Sequence, residues 1–177
     1  MREMAERIIL PFGDQILRKR CKPVTELNAR TISLLNDLKD TLYAEKGRAG
    51  LAAPQIGILR RVVVMDVGDG YIELINPEVV ETAGEQEGME ACLSYPGYYG
   101  RVKRHQYIKI TTMNRDGETV TLEAEDFFAR CIQHEMDHLD GVLFIDRVED
   151  DYLVHGTNHQ HIPLFHALRL TPPEQRT

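Results

Sequence analysis

The run Gln133-His134-Glu135-Met136-Asp137-His138-Leu139-Asp140-Gly141 constrains this chain more than any other stretch. Two histidines four residues apart, with a glutamate after the first, converge on one point when the segment is helical. Residues i and i+4 then share a face, and both imidazoles can reach one metal ion. Glu135 lies about 100° around the axis, near enough to contact a water on that metal without ligating it. Two ligands, a base and an open position suit metal-assisted hydrolysis of an amide. The pattern alone fits two states, a metal site or a helix that binds nothing.

Helical period runs over residues 126–139, where Phe127, Phe128, Ile132 and Leu139 surround the polar face and predict a largely buried helix stopped by Gly141. Upstream, Ala29, Ile32, Leu35, Leu38 and Leu42 predict an amphipathic scaffold helix over residues 28–46, with Asn28 as N-cap and Gly47 as terminator. Residues 61–66 and 71–75 read as strands around Gly68-Asp69-Gly70. Residues 107–113 and 118–122 read as a second pair around Asn114-Arg115-Asp116-Gly117, and 142–145 as a short strand. Strands clustered between helices predict an α+β fold: antiparallel sheets packed around a central helix carrying the HExxH pattern, with an N-terminal amphipathic helix. At 177 residues, the reading is a single catalytic domain over 1–150 and a C-terminal extension of uncertain structure over 151–177.

A net charge of −7 argues against broad, charge-driven nucleic-acid binding, so no DNA partner is expected. No apolar run is long enough to span a membrane, and residues 1–7 lead into too short an apolar stretch for a secretory signal, which predicts a cytoplasmic protein. Cys21, Cys92 and Cys131 are odd in number and lack CxxC spacing, so a disulfide framework is not expected. A reducing compartment also leaves a thiolate free for metal.

A catalytic site of this kind needs a third protein ligand, and two cysteines compete for the role. Cys131 shares the helix face, but its short side chain would have to meet two imidazoles fixed on the same rod; packing is the simpler role. Cys92, in Glu90-Ala91-Cys92-Leu93-Ser94-Tyr95-Pro96-Gly97, can approach from off the helix and close a three-point site, with turn chemistry at its Pro-Gly end.

Three separated segments, in order, resemble the peptide deformylases: Gly50-Leu51-Ala52-Ala53-Pro54-Gln55, Glu90-Ala91-Cys92-Leu93-Ser94, and Gln133 through Gly141. The resemblance runs from about Ile8 to Val148. It implies one divalent ion per chain, natively Fe(2+) in many members, held by Cys92, His134 and His138; such a donor set also accepts Zn(2+), Ni(2+) or Co(2+). It implies that Glu135 takes a proton from the attacking water and passes it to the leaving amine, and that Gln55 and the Leu93 backbone N–H steady the oxyanion. Formyl would be removed from the N-terminal formyl-methionine of new polypeptides at the ribosome, by a monomer. Phe127, Cys131 and Ala49 would wall the methionine pocket, and Gly50 would let the backbone pass close to substrate.

The chain departs from the family's usual glycines at Arg48 and Ala91. Ala91 would either carry a positive φ, at a cost on the order of 1 kcal/mol, or narrow the substrate groove with its methyl. Arg48 would place a flexible cation at the rim. Glu90 could form an ion pair with Arg104 behind the metal, while Asp137 and Asp140 read as solvated or capping. The tail, which contains His159, His161 and His166 and lies beside His155, shows little helical periodicity and lacks the basic run that helps some members dock on the ribosome. Two rivals predict other outcomes: a zincin-like endopeptidase needs a His or Glu ligand downstream of the helix, and an inactive relative would only bind peptide N-termini.

Overall fold

The computed structural model describes residues 3–174, so the first two residues of the expected catalytic segment and the last three of the expected extension lie outside it. In chain order the elements are α1 (Ala29–Tyr43), β1 (Gly50–Ala52), β2 (Val62–Met65), β3 (Ile72–Ala83), β4 (Gln86–Cys92), β5 (Tyr95–Arg104), β6 (Tyr107–Met113), β7 (Thr119–Glu125), α2 (Asp126–Leu139), β8 (Tyr152–His155), β9 (His161–Pro163) and α3 (Leu164–Leu170). The fold is mixed α and β: one sheet runs β1-β2-β3-β6-β7 and the other β4-β5-β8-β9, with antiparallel neighbours throughout both.

The five-stranded sheet is covered on both faces. Val62 and Val64 of β2 pack with Leu35, Leu38 and Leu42 of α1. Val63 and Met65 pack on the other face with Ala129, Ile132 and Leu139 of α2. Burial on both sides explains why β2 reads as an unbroken apolar run rather than an alternating one. Asn28 caps α1 by accepting from the Thr31 N–H at 3.1 Å. The helix ends at Tyr43, short of the expected Lys46, where Arg48 turns back and donates to the Thr41 carbonyl at 2.5 Å. Arg48 also pairs with Glu45 and Glu6, so it belongs to the α1 C-terminus and not to an open rim.

Other stretches also differ from the sequence reading. Residues 142–145 do not form a strand; Phe144–Asp146 is a 3-10 turn in which the Leu143 N–H donates to the Asp146 side chain at 2.9 Å. β3 runs on to Ala83, because β6 continues to pair with it beyond Ile75, where its pairing with β2 stops. Pro96-Gly97 lies inside β5, and the reversal falls at Leu93-Ser94, since Cys92 faces Tyr95. Phe127 is 57% exposed, whereas Ile132 and Leu139 are fully buried. In the C-terminal segment, β8 pairs with β5 and β9, and Leu153 and Ala167 are buried beside Phe144. Among the described residues, no helix is long and apolar enough to cross a membrane.

Candidate metal centre

Three elements meet at one point. α2 carries His134, Glu135 and His138 on its buried face. β4 ends at Cys92, and the 3-10 turn after β1 carries Gln55. The ligand atoms of Cys92, His134 and His138 lie within 4.8 Å of one another, the one such grouping of potential metal donors among the described residues. Cys131 is outside it; burial pushes its thiol up to about 12, as suits a packing residue. Of the tail histidines, His155 packs edge-on to Tyr98 and His161 stacks on Tyr152.

The donors are oriented for a cation. His134 Nδ1 lies 2.8 Å from Glu90 Oε1, which as acceptor fixes the proton on Nδ1 and leaves Nε2 toward the cluster. His138 Nε2 lies 3.4 Å from Cys92 Sγ. Burial drives the His138 ring well below its usual pKa, which keeps a lone pair available. Burial would lower His134 too, but hydrogen bonds to Cys92 and Glu90 raise it well above its usual value. The thiol and carboxylate on either side of His134 therefore favour positive charge at this point. The residues fit a metal.

Glu90 is buried and held by four donors. Arg104 Nε and Nη2 donate at 2.8 Å each, Arg130 Nη1 at 2.6 Å and His134 Nδ1 at 2.8 Å. Burial alone would raise its carboxyl; the bonds from Arg104 and His134 hold it far below the ordinary carboxylate range. The ion pair expected with Arg104 is present. Asp137 is not solvated: it receives Arg104 Nη1 and Arg147 Nε, both at 2.6 Å. Asp140 receives Arg61 Nη1 at 2.9 Å and caps α2.

Glu135 is the opposite case. It is buried, its Oε2 has no hydrogen-bond partner, and desolvation pushes its carboxyl up to about 7. It fits because Gly50 has no side chain: a Cβ there would stand 2.9 Å from Glu135 Oε1. Gln55 is 1% exposed, not a loop glutamine in solvent. Its Oε1 accepts from the Ala52 N–H at 3.0 Å, which turns Nε2 toward Ser94 Oγ at 3.2 Å and Cys92 Sγ at 3.7 Å. Leu93 follows Cys92 in the β4–β5 turn. Ala91 sits at a register shift between Glu90 and Cys92 and does not have a positive φ, so the strained alternative for it is discarded. Ala49 precedes β1, while Phe127 and Cys131 lie one turn apart on α2. Two cavities, of about 310 and 460 Å³, are lined by residues other than Cys92, His134 and His138. Sequence reasoning missed Arg130, whose place on the face of Gly88 gave no pattern to read.

A buried Cys/His/His donor set with an unpartnered carboxyl beside it, between antiparallel sheets, defines the class: a metal-dependent amide hydrolase of mixed α and β fold. The description of the polypeptide deformylase family matches residues 6–152, and the chain belongs to that family. It is 53% identical to the peptide deformylase of Caldanaerobacter subterraneus subsp. tengcongensis over 82% of this chain and 91% of that one. The crystal structure of the Thermotoga maritima peptide deformylase is similar at a TM-score of 0.78 and 43% identity, over 84% of this chain and 100% of that one. The Synechococcus elongatus peptide deformylase, crystallised in complex with actinonin, matches at a TM-score of 0.81 and 33% identity over 98% of this chain and 97% of that one.

Proposed function

We propose that this chain removes the formyl group from N-formyl-methionine at the start of nascent polypeptides, using Cys92, His134 and His138 to hold one divalent ion. The observation that carries the reading is the convergence of those three donors with Glu135 and Gln55 from three separated motifs. When bound, the ion supplies Lewis acidity, which polarises a carbonyl and makes water a usable nucleophile near neutral pH. Water oxygen adds to the formyl carbon; the carbon–nitrogen bond then breaks, releasing formate and a free amine. Glu135 takes one water proton and gives it to the departing nitrogen. Glu135 Oε2 is buried without a hydrogen-bond partner, so it has a free position for that proton. Gln55 Nε2 and the Leu93 N–H serve as donors to the oxyanion, each worth about 3 kcal/mol in comparable sites.

Ferrous iron is the native ion by resemblance; the donor set also accepts zinc, nickel or cobalt. The sheets pack around α2 as the central helix, with α1 as an outer scaffold. Residues 1–150 are the catalytic domain and 151–177 an appended segment. The enzyme is a cytoplasmic monomer working at the ribosome. Substrate enters as an extended backbone, with Gly50 and Ala91 beside it and methionine against Ala49, Phe127 and Cys131.

The test is formate release from formyl-Met-Ala-Ser by protein prepared without oxygen, with bound metal measured in the same sample. Acetylated and internal peptides are run alongside. Formate from the formyl peptide alone is expected; internal fragments without formate would point to an endopeptidase and defeat the proposal.

A further inference from the structure

We infer that Arg130 is a positioning residue of the metal centre, gripping Glu90 from the same helix that carries His134 so that the carboxylate stays aligned with the imidazole. The inference rests on the reading of Cys92, His134 and His138 as ligands. Arg130 and His134 stand one turn apart on α2, and both reach Glu90 on β4. Arg130 Nη1 donates to Oε2 at 2.6 Å, and His134 Nδ1 lies 2.8 Å from Oε1. Arg104 takes the remaining positions, Nε on Oε2 and Nη2 on Oε1. Each carboxylate oxygen therefore has two donors, which fills its acceptor sites.

The two arginines are not equivalent. Arg104 is also drawn to Asp137, and Asp137 is shared with Arg147, whose side chain is 47% exposed. That arm of the clamp leads to the surface. Both guanidiniums are buried, with side chains 3% and 6% exposed, but Arg130 alone is fixed to the same rod as the ligand it serves. Its contact ties β4 to α2 across a single helical turn.

The opposing strand is shaped for it. Gly88 presents a bare backbone to the guanidinium: a Cβ there would stand 3.2 Å from Arg130 Nη2 and 3.4 Å from Cζ. Gly88 does not have a positive φ, so crowding of Arg130 is the one conflict a methyl would create. Gln86 Oε1 accepts from Nε at 3.2 Å. Arg130 Nη2 nevertheless stays buried without a partner. Hydrogen-bond satisfaction thus does not account for a guanidinium here; the charge-assisted bond to Glu90 does.

Groups that orient a ligating histidine commonly change metal affinity by about 10–100-fold. Arg130→Met is expected to weaken cobalt binding about tenfold in anaerobic competition with a chelator, and to shift the visible absorption of the cobalt protein. Arg130→Lys should recover part of both. Gly88→Ala should weaken binding in the wild-type background and add nothing once Arg130 is Met. Unchanged affinity and spectrum in Arg130→Met overturn the inference, as does a Gly88→Ala effect that persists undiminished in the Met background. If Arg130→Met does not fold, Gly88→Ala and Arg130→Lys decide, and wild-type affinity in both overturns it. Cys92→Ala separates the two readings. Wild-type cobalt binding in Cys92→Ala defeats the ligand assignment, whereas loss there beside wild-type binding in Arg130→Met defeats the clamp alone.

Discussion

Two buried carboxylates flank His134, and they are opposites. Glu90, on β4, receives four hydrogen bonds and is held far below the usual carboxylate range. Glu135, next to His134 on α2, has an oxygen without a partner, sits against the bare face of Gly50, and is raised to about 7. Burial is similar, at 5% and 6% exposed, so burial does not decide their roles. The supply of donors does. A saturated carboxylate is a fixed charge that orients its neighbours, and an unsaturated one is free to exchange a proton.

The largest test of the contrast removes the unsaturated member. Glu135→Ala should lower turnover on formyl-Met-Ala-Ser by about 10²–10⁴-fold, the usual worth of a positioned proton shuttle. Metal content should stay at one ion per chain, because the three donors and Glu90 are untouched. Formate release close to wild type would mean that Glu135 does not carry the proton.

Next in size is pH. In metal-free protein, Glu135 prefers to be neutral when folded. Its contribution to stability is full below its ordinary value of 4.5 and is lost as pH rises through about 7. Glu90 has the reverse sign: its contribution is full above 4.5 and is lost as pH falls toward its depressed folded value. Between pH 4.5 and 7 this preference should cost wild type up to ~3 kcal/mol relative to Glu135→Gln. Urea unfolding of both metal-free proteins across that window measures the difference, and parallel curves would show that Glu135 does not titrate there.

The same two residues show what could be read from sequence. Glu135 was legible because HExxH places its role by local helical spacing, and α2 needed nothing beyond its own 3.6-residue period. Cys92 and Gln55 were legible through motifs. Glu90's clamp was legible only in its Arg104 half. Arg130 escaped because its reason is Gly88, forty-two positions earlier along the chain and on another element. β4 and β5 escaped for a related cause: Pro96-Gly97 read as turn chemistry, and Gly88 and Gly100 gave no strand signal. In the fold, Gly88 makes room for Arg130 and Gly100 for Val148, whose Cγ2 would lie 2.5 Å from an added Cβ. Glycine in a strand marks a close approach, and a sequence does not say to what. The tail shows the same limit, since β8 is held by β5 and by Leu153 in the core rather than by any pattern of its own.

The smallest expected effect isolates geometry from chemistry. Gly50 does not have a positive φ, so alanine can adopt its backbone, and the nearest atoms to the new methyl all belong to Glu135: Oε1 at 2.9 Å, Cγ at 3.0 Å and Cδ at 3.1 Å. Contacts that short force the carboxyl aside by a few tenths of an ångström, while Cys92, His134, His138 and the Glu90 clamp keep their places. A misplacement of about 1 Å can cost on the order of 10²-fold in rate, so a smaller one should cost about tenfold. Gly50→Ala should therefore lower kcat by about tenfold with bound metal unchanged. The decisive control is the pair: in a Glu135→Ala background no carboxyl remains to be displaced, and Gly50→Ala should do nothing further to kcat. An equal loss of kcat in both backgrounds would mean that the methyl acts through the substrate beside Gly50 and not through Glu135, and would leave the unsaturated carboxyl positioned by α2 alone.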